Sequence, residues 1–398
     1  MFVSLAVPPM VFGFPLIRGI PLIYFSMALA TLASLLVVSP LAIAQVPAPV
    51  LAARAWLLVD VAMGQTLASQ NAEERVEPAS LTKLMTAYIV FASLREKRLS
   101  LEQIVPVSER AWRAGGSRMF IDIKKPVTVG ELIQGVIVQS GNDACIALAE
   151  VIAGSEDAFV QIMNREAKRL GMNQTQFTNS SGLPDPKHYS TARDLALLAV
   201  AIIRDFPEQY RHYSVREFRY NNITQQNRNR LLWLDPNVDG MKTGYSEAAG
   251  YCLIASSTRG SRRLLSVVLG ANSESSRAQE SQKLLNHGFL FFDQVRLYEK
   301  GVSVSALPVW KGSENTLKAG VSEDLRISVP KGMGDKLKAE MLSLQPLVAP
   351  ISAGQRVGTI RVSLDGKPIG EYPAVALENM ATAGIFGRAW DTVRLWFQ

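Results

Sequence analysis

Strand-like segments open and close the first two thirds of this 398-residue chain, with helix-like segments between them, and that order confines it to few folds. Trp56-Leu57-Leu58-Val59 reads as a strand, Met63-Gly64 as a turn and Thr66-Leu67-Ala68 as the returning strand. Tyr251–Ser256 and Leu264–Leu269 read as a second strand pair joined by Thr258-Arg259-Gly260-Ser261. Helical apolar spacing fits the run from Ala79-Ser80 through Ala92, then Val129–Val138, Ser155–Leu170 and Thr191–Arg204. Strands at both ends with helices between them imply an α/β (α+β) domain whose sheet pairs N-terminal with C-terminal segments. Hydrophobic residues at 48% and charged residues at 19% suit a packed core and exclude global disorder.

The character changes near Phe291–Asp293. From there to about Ala381 short β-like runs are punctuated by Pro and Gly, the clearest being Leu325-Arg326-Ile327-Ser328-Val329 and Val357-Gly358-Thr359-Ile360-Arg361-Val362 before the Asp365-Gly366 turn. This second, mostly β domain carries no concentration of reactive groups and reads as a spacer or docking module. The expected boundaries are 1–44, 45–290, 291–382 and 383–398.

The first and last of these segments concern membranes. Arg18, the apolar run Ile20–Val38 and Ala42-Ile43-Ala44 describe a signal peptide cleaved after Ala44, an uncleaved anchor being the alternative at this length. Either way the bulk of the chain is expected outside the cytoplasmic membrane. At the other end Phe386, Trp390, Val393 and Phe397 recur at helical spacing, with Gly387, Asp391, Arg394 and Gln398 opposite. That pattern suits an amphipathic helix lying in a membrane interface; docking on the second domain is the alternative.

A net charge of +7 favours anionic partners, yet no basic run interleaves with aromatics, so nucleic acid is not expected. The two cysteines, Cys145 and Cys252, form no C-x-x-C pair and read as small buried apolar groups. His188, His212 and His287 accompany no G-x-S-x-G elbow, and no H-E-x-x-H, P-loop or G-x-G-x-x-G pattern occurs. No metal and no cofactor is expected.

Chemistry concentrates in three short motifs. In Ser80-Leu81-Thr82-Lys83 a helix starting near Ser80 puts Lys83 one turn later on the same face, within reach of the hydroxyl. A lysine accepts a serine proton only when neutral, so burial or a second cation must lower its pKa. Ser140-Gly141-Asn142 follows the Val129–Val138 helix, and Lys242-Thr243-Gly244 precedes the second strand pair. Alone, S-x-x-K is a weak signal; the ordered set of three is the one shared by penicillin-binding proteins and class A β-lactamases.

With these motifs the chain resembles the low-molecular-mass penicillin-binding proteins, the serine-type D-Ala-D-Ala carboxypeptidases. The resemblance extends over Ala111–Phe120, over Val138–Cys145 and over Asn179-Ser180-Ser181-Gly182-Leu183-Pro184-Asp185 with His188 and Ser190-Thr191-Ala192. It covers nearly everything after the signal, including the β domain and the terminal helix. It implies a β-lactamase/transpeptidase-like catalytic domain in which Ser80 is acylated, Lys83 is the base and Ser140 relays a proton to the leaving amine. It further implies that Asn142 hydrogen-bonds the substrate backbone and that Lys242 supplies positive field. Thr243 and Arg277 would bind the terminal carboxylate, with an oxyanion between the N–H groups of Ser80 and Tyr245, beside Gly244. Tyr245 departs from the family, where histidine is common, and is expected to alter contacts at the rim of the site. The implied substrate is a peptidoglycan stem peptide ending in D-Ala-D-Ala, and β-lactams are the implied covalent inhibitors. The implied place is the periplasmic face of the inner membrane, held peripherally through the C-terminal helix.

Three alternatives are weighed. A class A β-lactamase would need a dedicated deacylating glutamate, whereas Glu166 lies in an ordinary helical stretch and the second motif has Gly141, so penicillin release is expected to be slow. A D,D-endopeptidase of the same fold differs only in the substrate it cuts. A non-catalytic wall-binding scaffold would have lost one of Ser80, Lys83 or Lys242, and all three are present.

Overall fold

In the computed structural model residues 46–384 are described; the signal segment and the helix expected over 383–398 lie outside them, but for the first two residues of the latter. The catalytic part is built on a five-stranded sheet with every neighbouring pair antiparallel. Its strands are β1 (Ala55–Asp60), β2 (Gln65–Gln70), β3 (Val238–Ser246), β4 (Gly250–Arg259) and β5 (Arg262–Ala271), in the order β2-β1-β5-β4-β3. The opening hairpin therefore pairs with the closing one through β1 and β5, as expected from the order of elements. Period-2 alternation explains why both faces of β1 are buried. Ala55, Leu57 and Val59 enter the core under the main helices, while Trp56 and Leu58 enter the core on the other face.

The helices that position the site are α1 (Lys83–Arg95), α2 (Asn142–Ala153), α3 (Glu156–Arg169), α4 (Ala192–Asp205) and α5 (Glu274–Phe291). Helix α1 is buried from Lys83 through Phe91 and runs through the middle of the helical layer, which is why its sequence shows little amphipathic contrast. Helices α3 and α4 match their expected spans and carry side-chain N-caps, Ser155 and Thr191. Two helices went unread in the sequence: α2, and α5, whose 18 residues begin one position after the N-cap Ser273.

Two local expectations are corrected. Ser80 does not stand on an α-helix; Ala79–Thr82 is a 3-10 turn, and α1 begins only at Lys83. The Val129–Val138 helix is α-helical over Val129–Gln134 and then widens into a π turn, Gly135–Gln139, that delivers Ser140 in a left-handed conformation. Lys242-Thr243-Gly244 lies inside strand β3, ahead of the β4-β5 hairpin as expected.

The second part begins as α5 ends, with β6 (Phe292–Tyr298). It continues through β7 (Ser303–Trp310), β8 (Thr316–Gly320), β9 (Leu325–Pro330), β10 (Leu337–Ser343), β11 (Leu347–Val348), β12 (Arg356–Leu364) and β13 (Lys367–Ala376). These form a six-stranded sheet, β10-β12-β13-β8-β7-β11, and a two-stranded pair, β6-β9. A polar clasp joins the parts: Asp60 accepts from Arg262 at 2.9 Å and from Ser328 at 2.6 Å. Gln65 both donates to and accepts from the Ser328 main chain.

Candidate active site

The nucleophile turn is held from behind. Thr82 Oγ1 pairs with His188 Nε2 at 2.8 Å, and Thr86 Oγ1 donates to Ser180 O at 2.6 Å. Burial pushes the His188 pKa down to about 4, and the neutral ring, paired with Thr82 on one nitrogen and Thr178 on the other, braces the turn. Gly182 sits against the turn with φ +84°, and a Cβ there would meet Ala79 O at 1.8 Å, so only glycine fits. Ala79 itself has φ +46°, a strained setting for a residue with a Cβ directly ahead of the nucleophile.

Lys83 is buried at 1% exposure with its amine between three acceptors. Nζ lies 3.1 Å from Ser80 Oγ, 2.7 Å from Asn142 Oδ1 and 2.5 Å from Ser181 O. Burial, reinforced by the nearby Arg228 charge, lowers its pKa to about 8. Two of the partners, an amide oxygen and a main-chain carbonyl, can only accept. Once the amine is neutral, its lone pair therefore has one complement within reach, the Ser80 hydroxyl hydrogen. That is the geometry of a general base on a serine nucleophile.

Ser140 arrives from the π turn. Lys242 Nζ donates to its Oγ at 3.0 Å and to Thr243 O at 3.1 Å. Burial, followed by repulsion from Lys83, drives the Lys242 pKa well down. Two lysine amines thus share one dry site, and the Lys83 charge adds to the burial that lowers the proton affinity of Lys242. Asn142 has a different first role from the one expected. Its Oδ1 takes Lys83, and its Nδ2 donates to Gly115 O at 2.7 Å, so it ties the base to the loop bordering the cleft. Asp143 fastens the same loop by accepting from the N–H groups of Met119, Phe120 and Ile121.

Strand β3 is the edge of the sheet and passes directly beside the nucleophile turn. At Gly244 an added Cβ would stand 3.1 Å from Pro78 O and 3.2 Å from Leu81 Cγ, which explains the glycine of the third motif. Arg277 projects from the first turn of α5, is buried, and holds Gly244 O and Arg228 O weakly, at 3.4 Å each. Its guanidinium also lies 5.6 Å from the Tyr251 ring, on which Tyr245 packs at 4.4 Å. Tyr245, half exposed, thus stands at the rim, where the departure from histidine was expected to act.

These side chains surround one cavity of about 340 Å³, which Ser80, Ser140, Thr243, Gly244, Tyr245 and Arg277 all line. Lys83, Asn142 and Lys242 stand behind its wall. Sequence reasoning missed Arg228, Ser117 and Glu274 there. Ser117 lies inside the Ala111–Phe120 stretch that the resemblance singled out. Arg228 sits in Gln226-Asn227-Arg228-Asn229-Arg230, where nothing marks it from its neighbours. Glu166 bonds Arg169 at 2.7 Å, the surface pairing of an ordinary helix. Both cysteines are free and buried.

Comparison with known proteins agrees with this arrangement. A family model described as D-alanyl-D-alanine carboxypeptidase matches residues 42–273, and a penicillin-binding protein 5 C-terminal domain model matches 292–382. The D-alanyl-D-alanine carboxypeptidase DacC of Escherichia coli K12 is 46% identical over 360 residues, covering 88% of this chain and 90% of the relative. Penicillin-binding protein 5 of Haemophilus influenzae superimposes with a TM-score of 0.78 at 40% identity, over 84% of this chain and 99% of that one. Penicillin-binding protein D2 of Listeria monocytogenes, solved in an ampicillin-bound form, matches with a TM-score of 0.57 at 32% identity, over 61% and 99%.

Proposed function

The chain belongs to the D-alanyl-D-alanine carboxypeptidase family and is an enzyme of that class, and from that premise we propose how its own residues divide the reaction. Neutral Lys83 takes the Ser80 proton as Oγ attacks the carbonyl of the penultimate D-alanine. The tetrahedral oxyanion lies between the main-chain N–H groups of Ser80 and Tyr245. The C–N bond then breaks, and the proton returns through Ser140, polarised by Lys242, to the leaving amine. D-alanine departs with its carboxylate released from Thr243 and Arg277. Water, with Lys83 again the base, hydrolyses the ester on Ser80 and restores the enzyme.

One observation carries this reading: the Lys83 amine, its pKa lowered by burial, stands 3.1 Å from Ser80 Oγ with only acceptors as its other partners. A β-lactam would acylate the same serine, and Glu166, paired with Arg169, does not line its cavity to speed deacylation, so penicillin release is slow. The test is D-alanine release from a peptide ending in D-Ala-D-Ala, run beside Ser80→Ala. Release lost in the mutant supports the scheme; release retained refutes Ser80 as the nucleophile.

The chain would act on the periplasmic face of the inner membrane, with residues 384–398 lying in the interface through Phe386, Trp390 and Phe397. Among the described residues no helix is long and apolar enough to cross a membrane. Deleting 384–398 should abolish co-sedimentation with liposomes, and unchanged binding would rule this anchor out.

A further inference from the structure

The larger cavity of the catalytic part is not the one at Ser80. A groove of about 690 Å³ lies beyond the Arg277 end of the cleft, and Arg228 and Glu274 line both. One wall is the outer face of α5, at Ser275 and Gln279; the other is the short helix Leu231–Leu234. That helix buries Leu231 and Leu232 but leaves Trp233 at 44% and Leu234 at 61% exposure. Exposing an indole and a leucine together on four residues forgoes burial that the fold could otherwise gain.

The groove is also preformed. Asn227 and Asn229 are buried and pin its floor. Asn229 donates to Gly240 O at 2.9 Å and accepts from Leu231 N at 3.1 Å, and Asn227 donates to Val215 O at 2.9 Å. Arg228 and Arg230, alternating with them, are turned outward.

Two arguments identify the occupant, both resting on the carboxypeptidase reading. A stem peptide ends at its free carboxylate, which that reading places at Arg277, so no part of the stem being cut continues into the groove. Within the same polymer, that leaves parts other than this stem as occupants of the groove. The lining then selects among those parts. An indole face beside Leu234, rimmed by Gln226, Gln279, Ser275 and Arg230, suits a ring with an apolar C–H face and a rim of hydroxyl and acetamido groups. We propose that this groove binds the glycan strand of peptidoglycan, stacking an N-acetylated sugar on Trp233 and so favouring polymeric over soluble substrate.

The experiment has two arms. Ser80→Ala protein is titrated calorimetrically with glycan chains stripped of their peptides, and D-alanine release is compared on a short D-Ala-D-Ala peptide and on intact peptidoglycan. Trp233→Ala should weaken glycan binding about tenfold, one well-formed contact of about 1.4 kcal/mol, and Trp233→Phe, keeping an aromatic face, should retain most of it. Release from peptidoglycan should fall five- to tenfold in kcat/KM with the short peptide unchanged. No glycan binding by folded Ser80→Ala protein, binding only by peptide-bearing fragments, or equal losses on both substrates would each overturn the proposal. Absence of release from the short peptide by the unsubstituted enzyme would instead sink the carboxypeptidase chemistry, while the glycan titration tests the groove independently of that chemistry.

Discussion

The catalytic part and the β part treat polar residues in opposite ways. Among the described residues, the catalytic part buries Lys83, Lys242, Arg277, Asp143, Asn142 and many more polar groups, whereas from Phe292 onward Ser328 alone is a buried polar residue. Ser328 is also the residue that meets Asp60 across the clasp. Burying an amine costs several kcal/mol unless it is compensated. A fold carries that cost where the uncharged form does work, and the β part, whose cores are Leu, Val, Ile, Ala and Met, carries none of it.

The comparison fails at once if Ser80, the partly exposed residue that the buried polar set serves, proves dispensable. Ser80→Ala should reduce D-alanine release by about 10⁴-fold or more and abolish labelling by a fluorescent penicillin, with the thermal midpoint nearly unchanged; residual turnover within a hundredfold would break the argument.

Lys83→Met should cost about 10³-fold in acylation, and it separates function from stability. The folded pKa, about 8, lies below the ordinary 10.5. Between those values the unfolded chain binds more protons, so stability rises with pH across that window, and the methionine variant should lose this slope. Acylation by the unsubstituted enzyme should rise toward an apparent pKa near 8, since the base works neutral. A flat profile from pH 6 to 10 would remove Lys83 from that role.

A smaller effect tests the carboxylate end. Arg277→Lys keeps the charge but loses the planar fork, so kcat/KM for D-Ala-D-Ala should fall about tenfold, mainly through KM. An unchanged KM would place the carboxylate elsewhere.

Ser328→Ala sharpens the contrast from the other side. It should lower stability by about 1–2 kcal/mol, read by urea unfolding, and leave turnover within twofold. The smallest effect is expected at Lys318→Gln, which loses an exposed pair with Glu378 at 3.5 Å; less than about 0.5 kcal/mol should change.

How much was legible follows from the range of each signal. Short apolar runs at Trp56–Val59 and Leu264–Leu269 marked the central strands because a strand buried on both faces is written locally as a continuous apolar stretch. Helix α2 escaped because it follows Ser140-Gly141 without a side-chain cap, and α5 because its polar first turn, Glu274-Ser275-Ser276-Arg277, resembles a loop. The π turn at Gly135–Gln139 was hidden for a related reason: its apolar run continues the helix pattern while the backbone widens.

By itself the sequence determined which reactive groups exist and in what order, and it set Ser80 beside Lys83, since three residues span one turn. Only the tertiary structure decided the rest. Asn142 and Ser181 reach Lys83 from 59 and 98 residues away, and Ser140 meets Lys242 across 102. Arg228 joined the site, and Asn142 became a brace for the base. The physical reason is that the proton affinity of Lys83 depends on desolvation and on charges closed around it through space. No local pattern encodes either quantity.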